Sequence, residues 1–332
     1  MFKSQKHALF GILVLICGFL RAQNKQIDSL KEVISLSNED TNKVNALNAL
    51  SLEYYLISDF PSSRQYALEA LLIAKKINFK KGEATSTNRV GKVYAALDNY
   101  AEALKNYAIS LKINQETGDK LDEATTYGFM GETYSSKGNF NEALKYFSIA
   151  LKISKSIKSK SGIADAHYGI GEIYEAQEKY KKALKEYLIA LKLYQKINDD
   201  YGMAFGYSSV GGIYCQTGKY EEALKQTLIA LKMYEQSGNK MYIGISYVNI
   251  ANVYFYQGKD KEALDKYMAA LKIHWEIGDK WNEANTNANI GLIYKTEDNT
   301  SNANEYFQKG LAIAKEIGAI DLEKSIRLRM KN

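Results

Sequence analysis

The chain of 332 residues rewrites one amphipathic segment every forty residues. Gly91, Gly131, Gly171, Gly211 and Gly291 share a row with Ala251. Three residues further on stand Tyr94, Tyr134, Tyr174, Tyr214, Tyr254 and Tyr294. Ala103, Ala143, Ala183, Ala223, Ala263 and Ala303 make a third row, and Leu111, Leu151, Leu191, Leu231, Leu271 and Leu311 a fourth. One period back, Ser51, Tyr54 and Leu71 form a degraded first copy, so seven copies run from about Asn42 to Ile317. A unit this small cannot bury its apolar face alone, and stacking on its neighbours is the remedy.

Each copy reads as two helices. In the fourth, Ala164, Tyr168, Ile170, Gly171 and Tyr174 follow helical spacing, and Gln177, Glu178 and Lys179 form a turn. Ala183, Leu184, Tyr187, Leu188, Leu191 and Ile197 then share one face of a second helix over 180–197. Between copies, Gly118, Gly238 and Gly278 suit helix C-termini, and the Asp or Asn after each suits the next N-cap. Glu83, Glu123 and Glu283 fall in first turns, where the helix dipole favours them. The small rows are expected where two backbones approach, as at Gly171 and Ala183, where leucine would overpack the contact. The tyrosine row is expected to fill the space beside each glycine, so that Tyr254→Ala costs about 3 kcal/mol. A single proline favours long unbroken helices. With 46% hydrophobic and 25% charged residues, the composition argues against bulk disorder.

Gly131, Tyr134, Ala143 and Phe147, recurring copy after copy, resemble the tetratricopeptide repeat over about 275 residues. The resemblance implies an all-α, right-handed superhelical solenoid of antiparallel helix pairs whose first helices line a concave groove. Three departures stand out. The usual repeat has about 34 residues, so the six extra predict longer helices. The early Trp is replaced by Thr87, Tyr127, His167, Tyr207, Tyr247 and Asn287, and the late Pro is absent. This long form is similar to repeats in spindle-orientation adaptors and in bacterial sensor and regulator proteins. The expected layout is a signal peptide over 1–22, a capping helix over 23–40 (Ile27, Leu30, Ile34), seven repeats over 41–320 and a capping helix over 321–332 (Leu322, Ile326, Met330). That layout leaves no room for another domain.

The N-terminus reads as a separate object. Lys3 and Lys6 precede thirteen apolar residues, Ala8 to Leu20, and Arg21 and Ala22 precede polar Gln23. This pattern predicts export with cleavage near Ala22; thirteen residues are short for a membrane span. A lipid anchor on Cys17 is disfavoured by bulky Ile16 before it. Cleavage lowers the net charge from +6 to +3, too little to argue for nucleic acid. It leaves Cys215 as the one cysteine, so the mature chain, expected to carry no stable membrane span, has no disulfide to staple it.

Motifs for chemistry are weak. His167 and His274 fall in packing rows 107 residues apart, which argues against a shared metal. Cys215 has no histidine beside it in the expected stack and reads as a core or groove-wall thiol. Gly169 and Gly171 lack the third glycine of a dinucleotide loop, and Val90 to Val93 lacks the rest of a P-loop. Asn299 to Ser301 is a glycosylation sequon or a turn. We expect no enzyme, cofactor or metal.

On each first helix, the positions six and three before the glycine row and one and four after it form a stripe that varies between copies. From the first part of the array this stripe selects Asn88, Lys92, Glu132 and Asp165, followed by Glu172 and Glu175. From the later part it selects Phe205, Asn252, Phe255 and Lys295, with Asn249, Tyr256 and Asn289 flanking. Amides can pair with the main chain of an extended peptide, and aromatics supply anchoring area. The family's carboxylate clamp for chaperone tails needs lysine where Glu132 and Glu172 stand. A ligand with a basic stretch and then an apolar one fits better. Lys112, Lys152, Lys192, Lys232 and Lys272 are expected on a solvated outer face, and Trp275, in an otherwise polar row, as an exposed contact.

The expected function is an exported, non-enzymatic scaffold gripping a protein or peptide, with no role for nucleic acid. The alternative is a sensory or regulatory module of a two-component-type pathway acting with a separate output protein.

Overall fold

The structure is a computed structural model and describes residues 26–57 and 59–331. The expected signal peptide, with Cys17, lies outside the described residues. Those residues form helices and no strand. They divide into two compact units, one ending at Ile173 and one beginning at Tyr174. The first holds α1 (26–36), α2 (Thr41–Leu56), α3 (Phe60–Lys76), α4 (Lys80–Ala96), α5 (Tyr100–Thr117), α6 (Lys120–Ser136) and α7 (Phe140–Ser156), and most of α8 (Lys160–Ala176). The second holds the last turn of α8, α9 (Tyr180–Ile197), α10 (Asp200–Gln216), α11 (Tyr220–Ser237), α12 (Lys240–Tyr256), α13 (Asp260–Ile277), α14 (Lys280–Thr296), α15 (Thr300–Glu316) and α16 (Ile320–Lys331).

Each unit is a helical solenoid of repeats. In the first, α2 pairs with α3, α4 with α5 and α6 with α7. In the second, α10 pairs with α11, α12 with α13 and α14 with α15. First helices of neighbouring pairs also touch, α2 on α4 and α4 on α6, then α10 on α12 and α12 on α14. Their shared face is therefore the inner wall of each stack.

The helix ends follow the expected chemistry. Asp119, Asn239 and Asp279 are N-caps whose side chains accept from the backbone N–H three residues on. Gly118 and Gly278 close α5 and α13 with φ of 72° and 70°, where a Cβ would be strained. Other turns place Asn78, Asp98, Asn198 and Asp298 in the same region, and two of them use Lys158 and Glu178. Asn299, of the sequon, is the N-cap of α15. Glu83, Glu123 and Glu283 lie in first turns as expected, buried, and each pairs with the lysine three residues before it at 2.9, 2.6 and 3.3 Å.

The packing register differs from the expectation in one respect. A Cβ on Gly91 would stand 2.6 Å from the Tyr107 ring, and one on Gly211 2.7 Å from Thr227 Cγ2 and 3.3 Å from the Ala223 carbonyl. The space beside each glycine is thus filled by the residue four after the alanine row on the second helix. Tyr107, Phe147 and Phe307 hold this place and are buried. The tyrosine row is only half-buried and stacks on second-helix rings, Tyr134 on Tyr146 at 5.2 Å and Tyr294 on Tyr306 at 5.6 Å. The reason is geometric: three residues past the glycine, the side chain has turned about 60° away from the contact line.

Ile34 of α1 packs on Val44, Leu47 and Ile73, and Leu322 and Ile326 of α16 pack with Phe307 and Leu311. The five outer lysines, Lys112, Lys152, Lys192, Lys232 and Lys272, are exposed.

Candidate functional site

In the first unit the inner wall combines one cation with aromatic rings. Lys92 Nζ lies 4.5 Å from the Phe129 ring centroid and 5.3 Å from that of Tyr55, which joins α2, α4 and α6 through one ammonium. Glu132 and Asp165 are both exposed and line a cavity of about 130 Å³ with Phe129 and Phe147. Glu172 is exposed on the border helix.

Asn88 does not belong to this wall. It is 7% exposed, and its Nδ2 donates to Thr126 Oγ1 at 2.9 Å, tying α4 to α6. One period earlier Asn48 Nδ2 donates to Ser86 Oγ at 2.9 Å and ties α2 to α4. The recurrence of this pair at the repeat offset is the signal that would have assigned Asn88 to packing.

In the second unit the inner wall opens into a cleft of about 420 Å³, within the range of ligand sites. It gathers Glu175, Asn249, Asn252, Phe255, Tyr256 and Asn289 of the expected residues, with Cys215 and Asn285, which also fall at stripe positions, and adds Tyr267 and Arg329. Asn249 Nδ2 donates to Ser208 Oγ at 3.2 Å, and the Tyr267 hydroxyl donates to Asn252 Oδ1. Both amides are thereby oriented from one side. Glu175 Oε2 accepts from the Tyr187 hydroxyl at 2.5 Å, and burial pushes its pKa up. Burial also pushes the Cys215 thiol up to about 11, which keeps it protonated and unreactive near neutral pH.

Phe205 does not line the cleft. It joins Tyr201 and Tyr242 edge-on, at centroid distances of 4.8 and 4.9 Å, in an aromatic cluster that includes Tyr234. Lys295 does not line it either: its Nζ donates to the carbonyls of Met330 at 2.9 Å and Arg329 at 3.3 Å. It holds the end of α16, whose carbonyls have no helical partner of their own.

Arg329 is the residue that the sequence did not offer. From α16 its Nη1 donates to Asn289 Oδ1 at 2.6 Å and its Nη2 to Asn285 Oδ1 at 3.1 Å. Burial lowers its pKa. It lies outside the repeated rows, so periodicity gave it no place on the wall.

A second hollow of this unit, about 380 Å³, lies between α13, α14 and α15. Trp275 lines it and is 69% exposed, as its polar row predicted. His274 is fully buried, with Nδ1 3.6 Å from Asp279 Oδ2.

The family model described as "Tetratricopeptide repeat" matches residues 82–156, 162–237 and 242–316. No curated protein matches the sequence. Solved structures share the fold at low identity. A signal transduction ATPase with a tetratricopeptide repeat sensor, from Pyrococcus horikoshii, is 20% identical with a TM-score of 0.65, over 90% of this chain and 46% of its own. The chain thus spans under half the length of that protein. The apo quorum sensor NprR from B. thuringiensis is 18% identical with a TM-score of 0.66, over 92% and 85%. A Rap protein complexed with competence and sporulation factor is 18% identical with a TM-score of 0.65, over 87% and 81%.

Proposed function

Because the chain belongs to the tetratricopeptide-repeat family, we propose that it is a non-enzymatic scaffold that binds a protein or peptide partner along its inner wall, chiefly in the second-unit cleft. The observation that carries this reading is the convergence of Asn249, Asn252, Asn285 and Asn289 from α12 and α14 on one open cleft walled by Phe255 and Tyr256. Asn side chains at this spacing offer a donor and an acceptor each to the main chain of an extended segment. The aromatics add contact area at low entropy cost.

The same fold in a Rap protein complexed with competence and sporulation factor, and in another in complex with a Phr* peptide, supports a short peptide as the occupant. The sensors among these structures favour the second reading, a sensory or regulatory module that acts with a separate output protein in a two-component-type pathway. Metal, cofactor and nucleic acid have no part in either.

The protein is, in this reading, exported, with residues 1–22 removed as a signal peptide. No helix of the described residues is long and apolar enough to cross a membrane. N-terminal sequencing of protein recovered from the producing cell should begin at Gln23; a retained Met1 would refute export by cleavage.

The binding test is affinity capture from the native lysate against the paired substitution Asn249→Ala and Asn252→Ala. A partner retained by the parent and lost by the variant, with the thermal melt kept, supports the inner wall as the site. Partners retained equally by both would place binding elsewhere.

A further inference from the structure

We propose that the second-unit cleft receives a carboxylate of a short extended peptide on Arg329; this rests on the peptide-binding reading above and names the chemistry of its ligand. A guanidinium carries five N–H donors in a planar fork that matches a carboxylate. Asn289 and Asn285 take one donor each, and both acceptors are neutral amides. Among the described residues no carboxylate pairs with Arg329. It is therefore a half-buried cation, fixed from behind by two hydrogen bonds, with donors left over and no counter-charge. Such a group is costly in a folded chain unless an anion arrives to meet it.

The cleft's charge content selects the anion. Arg329 is the single cation among its lining residues and Glu175 the single anion. One positive charge matches a monoanionic carboxylate, whereas a phosphate dianion would call for a second cation. Glu175 sets the direction. Its Oε1 faces Gly212, where even a Cβ would stand 4.0 Å away, so there is room beside it for an amine or a basic side chain. Arg329 sits over α14 and Glu175 beside α10, with α12 between them. Two interaxial steps of roughly 10 Å span about six residues of extended chain. The ligand class is thus a peptide of about six residues with its amino or basic end at Glu175 and a carboxylate at Arg329.

The test uses the whole protein and two pools of unlabelled random hexapeptides. The pools differ only at the C-terminus, a free carboxylate in one and a carboxamide in the other. Bound peptides are identified by mass spectrometry, and one recovered peptide is titrated calorimetrically. The expected result is enrichment from the acid pool and a loss of about 10- to 100-fold in affinity on amidation. Acid and amide should bind Arg329→Gln alike. If the carboxylate belongs to a side chain, both pools bind, the recovered peptides share an Asp or Glu, and changing it to Asn or Gln gives the same loss; this also supports Arg329 as the receiver. The proposal is overturned if neither change matters to the parent, or if Arg329→Gln weakens acid and amide equally and leaves their difference intact. In those cases the peptide-binding reading survives as long as Asn249→Ala with Asn252→Ala abolishes binding. Retention of neither pool by the parent overturns both. The parent's own acid-to-amide ratio stands even if the Arg329 variant folds poorly.

Discussion

The guanidinium of Arg329 donates to the side-chain oxygen of Asn289 across 2.6 Å, forty residues back along the chain. This contact makes α16 more than a cover for the apolar face of α15. Lys295 anchors the same helix through its final carbonyls. Replacing Lys295 with Met keeps the aliphatic stem and removes the donor. We expect a loss of about 1 kcal/mol and faster amide exchange over residues 320–331, with α10 and α12 unchanged. Exchange rates in α16 identical to the parent would show that Lys295 does not hold it.

The glycine row predicts a graded response. Gly91→Ala pushes a methyl into the Tyr107 ring and should cost about 1–3 kcal/mol. Tyr107→Ala empties a buried site and should cost about 3–5 kcal/mol. Tyr254, half-buried with its ring partly in solvent, should cost less than half as much as Tyr107 when replaced by Ala. Chemical denaturation of the three variants measures the order; a Tyr254 loss equal to that of Tyr107 would restore the tyrosine row to the core.

Asn88 and Asn249 separate packing from binding. Asn88→Ala removes the buried bond to Thr126 and should cost about 1 kcal/mol, with ligand affinity unchanged. Asn249→Ala should do the reverse: a small change in melting temperature and a large loss of binding. Melts and titrations of the two variants side by side decide it.

Glu175 links stability to pH. Burial raises its folded pKa above the ordinary 4.5. The folded state therefore holds this proton more tightly than the unfolded one, and this carboxyl's contribution to stability falls as pH rises from 4.5 through the raised value. Glu175→Gln, which can still accept from Tyr187, should raise the melting temperature at pH 7 and make little difference at pH 4. A gain of equal size at both pH values would mean that the carboxylate's desolvation is not the cause.

The sequence resolved what repeats. Helix 180–197 and the caps at Asp119, Asn239 and Asp279 followed from spacing and local hydrogen-bond chemistry, because these forces act within a few residues. Of the inner-wall stripe and its flanks, Asn249, Asn252, Phe255, Tyr256 and Asn289 line one cleft. The stripe misassigned Asn88, although Asn48 one period earlier and the pair Ser86 and Thr126 carried the packing signal. Phe205 was drawn off by Tyr201 and Tyr242, a cluster formed by neighbours that vary between copies. Arg329 and the true role of Lys295 were illegible because both depend on where a non-repeating terminal helix comes to rest.

The turns on either side of α8 hold Lys158 and Glu178 at φ of 56° and 58°, where the close approach of Cβ to the following carbonyl costs about 1 kcal/mol or more and neither glycine nor a short amide relieves it. These two corners are thus the least favourable of the left-handed turns, and brief fraying should begin there. Trypsin and a glutamate-specific protease, used sparingly, should make their first cuts after Lys158 and Glu178, and Lys158→Gly should lengthen the lifetime of the intact chain under a protease that cleaves elsewhere in that turn.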